Sequence, residues 1–74
     1  MDERQLEATM GFIVAALKEQ GYDPYAQLYG YIKENEPTYI TSHKGARSMI
    51  MKVERDELVE ELLNEYIKNK SWDR

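Results

Sequence analysis

The side chains best suited to chemistry in this sequence are a single histidine and a run of carboxylates. His43 directly follows Thr41 and Ser42, which sets a base beside two hydroxyl nucleophiles. Such a pair works only when the hydroxyl is held against the ring nitrogen, and adjacent residues rarely meet that way. No nucleophile elbow accompanies them, so turn and helix capping is their expected role. The carboxylates are Glu54, Asp56, Glu57, Glu60 and Glu61. Carboxylates at this spacing ligate metals in helical bundles together with a Glu-x-x-His pair, which a chain with only His43 does not contain. Acid–base work by two carboxylates needs environments that separate their pKa values, and nothing in the run supplies them. Phosphate-loop and dinucleotide fingerprints are missing as well. The chain is expected to have no catalytic, metal or cofactor-binding residues and not to be an enzyme.

The cations are arranged more tellingly. From residue 43 to 52 there are three basic residues and no acidic one; from 54 to 65 there are six acidic residues and one basic. Lys44, Arg47, Lys52 and Arg55 are the candidate partner-binding residues. One reading is internal charge tuning, since surface ion pairs contribute only ~0–1 kcal/mol each. Another sets this basic segment against the acidic helix of a second subunit or an anionic partner such as a phosphorylated segment. A small-anion sensor built on Arg47 and Arg55 is a third. A nucleic-acid-binding module using a helix over 43–53 is the alternative function, and a net charge of −4 counts against it.

Five of the six tyrosines lie between residues 22 and 39, among Gly21, Pro24, Gly30 and Pro37. Tyrosine is half apolar and half polar, which suits a place where two surfaces meet. Tyr22, Tyr25, Leu28, Tyr29, Tyr31 and Tyr39 are therefore assigned to a dimer interface or to the buried surface beside it.

These residues must be positioned by helices. Leu6, Met10, Ile13, Val14 and Leu17 share one face of a helix expected over Glu3 to Gln20, stopped by Gly21. Asp23 and Pro24 read as the cap and first turn of a second helix, which ends near Asn35 with Gly30 inside it. A glycine there costs about 1 kcal/mol against alanine; its usual use is to let a backbone or ring approach, and the alternative is that it is merely tolerated. Glu36 to His43 is a connector anchored by Tyr39 and Ile40, with Thr41 and Ser42 as candidate caps. A third helix over about His43 to Val53 buries Ala46, Met49, Ile50 and Val53. The fourth carries the pairs Leu58/Val59, Leu62/Leu63 and Tyr66/Ile67, a broad apolar stripe on an acidic helix. A break between the last two, capped by Asp56, keeps Glu57 off the buried face. Ser71 to Arg74 are expected to fray. The fold class is all-α, about four short helices.

Seventy-four residues make one domain at most. A chain below ~80 residues builds a core worth only a few kcal/mol and often needs a disulfide, a metal or a second subunit. Cysteine is absent, and one histidine makes a structural zinc site a poor match. A homodimer is the remaining common route. The apolar run from Met10 to Leu17 lacks the basic leader of a secretory signal and falls short of the ~20 residues of a spanning helix. The expected location is the cytoplasm, without membrane contact.

One resemblance follows from the motif order. The blocks are Gly21-Tyr22-Asp23-Pro24, Gln27-Leu28-x-Gly30-Tyr31-Ile32, Glu36-Pro37-x-Tyr39-Ile40, and Ala46-Arg47-x-x-Ile50-x-Lys52-x-Glu54-Arg55-Asp56-Glu57-Leu58-x-Glu60-Glu61-Leu62. Together they resemble the IreB family, small cytoplasmic regulatory proteins of low-GC Gram-positive bacteria. The resemblance covers about Gly21 to Tyr66. It implies a helical homodimer without enzymatic activity, linked to a transmembrane Ser/Thr kinase that senses the cell wall and to intrinsic cephalosporin resistance. The chain departs from the family at Asp23-Pro24-Tyr25-Ala26-Gln27, at Glu34-Asn35-Glu36-Pro37 and at Met51. The resemblance also implies a tail of phosphorylated threonines before the first helix. Thr9 falls inside that helix, so no phosphorylation site is carried over, and the chain is expected to be a divergent member lacking the tail.

Overall fold

In the computed structural model, which describes residues 1–73, four α-helices follow one another: α1 (Glu3–Glu19), α2 (Pro24–Glu34), α3 (Ala46–Met51) and α4 (Arg55–Asn69). Two short 3-10 turns, Pro37–Tyr39 and His43–Gly45, join α2 to α3. The all-α expectation holds among the described residues.

Each boundary has a local cause. At the start of α1 the Gln5 N–H donates to Asp2 Oδ1 at 2.8 Å, and the Asp2 N–H donates back to Gln5 Oε1 at 3.1 Å. This reciprocal pair satisfies two donors that a helix start leaves free. Gly21 ends the helix at φ 80°, where the Tyr22 N–H reaches Leu17 O at 2.9 Å. Asp23 Oδ1 accepts from the Tyr25 N–H at 3.1 Å and opens α2, with Pro24 in its first turn. Asn35, at φ 52°, closes α2.

The connector is more structured than its sequence suggests. Glu36 accepts from the Thr38 N–H and starts the first 3-10 turn. Thr41 Oγ1 accepts from the His43 N–H at 3.2 Å from one residue before the cap position, which Ser42 occupies without a side-chain cap bond. The third helix begins later than His43. Lys44 and Gly45 take φ values of 54° and 77°, a left-handed pair that no α-helix continues through.

α3 and α4 are separate. The Lys52 and Val53 N–H groups donate to Met49 O and Ile50 O, tightening the last turn of α3, and Glu54 is extended. The break comes two residues before the expected one. Glu54, not Asp56, occupies the cap position, without a side-chain cap bond, and Asp56 lies in the first turn of α4. There its carboxylate faces the positive end of the helix dipole. Over the segment expected to fray, the Ser71 N–H donates to Lys68 O and the Trp72 N–H to Ile67 O. Arg74 lies outside the described residues.

The core contains Leu6, Ile13, Ala16 and Leu17 from α1, Tyr31 from α2, Ile40 from the connector, Ala46 and Ile50 from α3, Val53, and Leu58 from α4. α1 packs most closely on α3. α4 sends only Leu58 into this core, and the molecule is elongated, 40 × 23 × 22 Å.

Candidate functional site

The side chains named for chemistry connect to other partners than those their sequence neighbours offer. Thr41 already accepts the His43 backbone N–H, and the His43 ring turns away to α1, with Nε2 3.1 Å from Glu19 Oε1. Lys44 Nζ reaches the same carboxylate at 2.9 Å. The Lys44 ammonium, and after it His43, hold the exposed Glu19 carboxyl below its ordinary pKa of 4.5. Sequence reading missed Glu19, which lies 24 residues before His43.

The carboxylates also regroup. Glu61 and Glu65 on α4 approach Glu3 on α1, with one oxygen of each within 4.8 Å of the others. Partial burial, and then the charges of Glu3 and Glu65, raise the Glu61 pKa above 4.5. This is a repulsive contact between α1 and α4. Of the other carboxylates in the run, Glu54, Asp56 and Glu60 are exposed and Glu57 is half-buried.

The four cations separate into two pairs. Arg47 is half-buried, and its Nε–H donates to Ile40 O at 2.9 Å, tying α3 to the connector. Lys44 is engaged with Glu19. Lys52 and Arg55 are exposed on either side of the break between α3 and α4. Two of the three cations assigned to a reading helix over 43–53 therefore serve contacts within the chain.

The tyrosines divide as well. Tyr31 is buried, at 5 % exposure. Tyr39 lays its ring over Gly30, where an added Cβ would stand 2.5 Å from Cε1. Tyr22, Tyr25 and Tyr29 are exposed; Tyr25 and Tyr29 stack at 6.1 Å between ring centroids, and Lys33 Nζ lies 5.9 Å from the Tyr29 ring centre. Leu28 is half-buried.

A stripe of exposed apolar side chains runs along α4. Val59, Leu62, Leu63, Tyr66 and Ile67 recur at i, i+3, i+4, i+7 and i+8, and all five are exposed. Trp72 extends the stripe, its ring edge-on to Tyr66 with centroids 5.7 Å apart. Beside the first half of α4 runs an open groove of about 260 Å³, lined by Met10, Tyr25, Leu28, Tyr29, Ile32, Leu58 and Leu62. Contiguous exposed apolar surface of this kind is a common mark of interaction sites.

Fold and surface thus define a small protein, all-helical among its described residues, with an exposed apolar stripe along its last helix. The model of the family described as IreB regulatory phosphoprotein matches residues 1–68 of the chain. A UPF0297 protein of Lachnoclostridium phytofermentans is 58 % identical over 57 residues, 77 % of this chain and 65 % of that protein. The chain belongs to the IreB family, a family of regulatory phosphoproteins, and it spans about two thirds of that curated relative's length. The match takes in all of α1, beyond the motif blocks that begin at Gly21. No helix among the described residues is long and apolar enough to cross a membrane.

Proposed function

We propose that this chain is a non-catalytic cytoplasmic regulator that acts as a helical homodimer through protein–protein contacts. We place it downstream of a cell-wall-sensing Ser/Thr kinase, with an influence on cephalosporin resistance. The observation that carries the contact-based reading is the uncovered stripe of Val59, Leu62, Leu63, Tyr66 and Ile67 in a regulatory family. These side chains are 36–54 % exposed, so covering what remains of each contributes about 0.5–1.5 kcal/mol. Several per copy, counted on both copies, can offset an association cost of about 4–15 kcal/mol. The signalling and resistance roles rest on what the family resemblance implies. Lys52 and Arg55 are the cations we assign to the anionic surface of a regulatory partner, because both are exposed.

Deleting the gene in its host and measuring cephalosporin susceptibility tests the biological half. A shift in the inhibitory concentration that wild-type protein restores, and that a Leu63→Asp variant does not, is the expected result. Unchanged susceptibility on deletion contradicts the resistance role.

A further inference from the structure

We infer that the two copies of the proposed homodimer pair their α4 helices antiparallel, the C-terminal half of each lying over the groove beside the first half of the other. This rests on the homodimer reading above and adds its geometry. Three observations lead to it.

The first is shape. The groove flanks the start of α4, where Leu58 and Leu62 form part of its wall. The projecting side chains, Tyr66, Ile67 and Trp72, belong to the other end. A two-fold axis near Leu63 sets each projection over the other copy's groove and makes one patch self-complementary, as a two-fold interface requires. A parallel pair would set groove against groove and projection against projection.

The second is charge. Glu54, Asp56, Glu57 and Glu60 crowd the beginning of α4, with Arg55 as the lone cation, whereas Lys68 and Lys70 close it. Antiparallel pairing brings the acidic start of one helix to the basic end of its partner. Parallel pairing stacks acid on acid, and like charges across an interface oppose it.

The third is the weak attachment of α4 to its own chain. Only Leu58 is buried, and although the Met1 ammonium pairs with Glu57 at 3.1 Å, Glu61 and Glu65 meet Glu3 across the α1–α4 contact. The free side of the helix carries more apolar surface than the attached side, so a second copy covers what the first leaves open.

The chain has no cysteine, so single cysteines report the geometry directly. Leu63, Asp56 and Lys70 are exposed and tolerate replacement by cysteine without loss of the core. With a helical rise of about 1.5 Å per residue, an axis at residue 63 separates the two Asp56 positions by about 20 Å, beyond a bismaleimide crosslinker of about 10 Å. We expect Leu63→Cys to give a covalent dimer alone. Asp56→Cys and Lys70→Cys should each remain uncrosslinked alone and link when mixed. Efficient linking of Asp56→Cys with itself indicates parallel pairing and overturns the inference. Absence of linking in all samples, with a dimer mass by light scattering, places the interface elsewhere and overturns the geometry alone. A monomer mass overturns the homodimer reading with it.

Discussion

The ring of Tyr39 occupies the space in which a side chain at residue 30 would begin. A Cβ at Gly30 would lie 2.5 Å from Tyr39 Cε1 and 2.6 Å from Cδ1, closer than carbon atoms pack. Gln27 Nε2 donates to Tyr39 O at 2.7 Å from the same helix. Together they fasten the connector to α2, so that Ile40, next in sequence, is fully buried.

Gly30→Ala sets two effects against each other. Alanine gains about 1 kcal/mol of helix propensity, while overpacking costs about 1–3 kcal/mol. We expect a net loss of up to about 2 kcal/mol in denaturant unfolding. The sign should reverse in a Tyr39→Ala background, where the same substitution should stabilise. Equal effects in both backgrounds would mean that the ring moves aside freely.

Arg47 ties α3 to the connector through its Nε–H. Arg47→Ala removes the donor to Ile40 O in a half-buried site, and losing such a bond costs about 1–2 kcal/mol. Lys52→Ala and Arg55→Ala should change stability by less than about 0.5 kcal/mol, as exposed substitutions usually do. Thermal melts of the three variants check this, and binding assays with Arg47 variants need that control.

Acid should affect the two shifted carboxylates in opposite directions. Glu61 has a raised pKa, so its contribution favours folding when protonated, and stability gains as pH falls through its titration above 4.5. Glu19 has a lowered pKa. Its pairing with Lys44 and His43 stabilises the fold above 4.5 and is lost as pH falls through the lower folded value. Unfolding curves across this range should show Glu61→Gln removing the gain above 4.5 and Glu19→Gln removing the loss below it. Unaltered profiles would place the pH response in other groups.

Two tyrosines distinguish folding from assembly. Tyr31→Ala deletes a buried ring and should cost about 3–5 kcal/mol. Tyr25 is 76 % exposed within one chain, so Tyr25→Ala should leave the fold of a single chain intact and weaken self-association. Unfolding at several protein concentrations separates the two.

Much of this was legible in the residues. The capping role of Asp23, the stop at Gly21 and the face of α1 follow from short-range rules, because the groups that satisfy them lie within one helical turn. Gly30 announced a close approach but not which ring would make it; Tyr39 is nine positions away. Arg47 looked like an exposed cation, and its bond to Ile40 O depends on how α3 meets the connector. Periodicity marked the apolar stripe of α4 correctly. It does not distinguish a stripe covered by the same chain from one left open, and only Leu58 is covered. The break between α3 and α4 was legible but its position was not, since Glu54, Asp56 and Glu57 are all reasonable starts for an acidic helix.

Whether the open α4 face joins two copies is read from the solution mass of the wild-type chain at micromolar concentration. Sedimentation equilibrium should give twice the chain mass, shifting to the single-chain mass with Leu63→Asp while the helical circular dichroism persists. A wild-type chain that sediments as a monomer rules out dimerisation through α4.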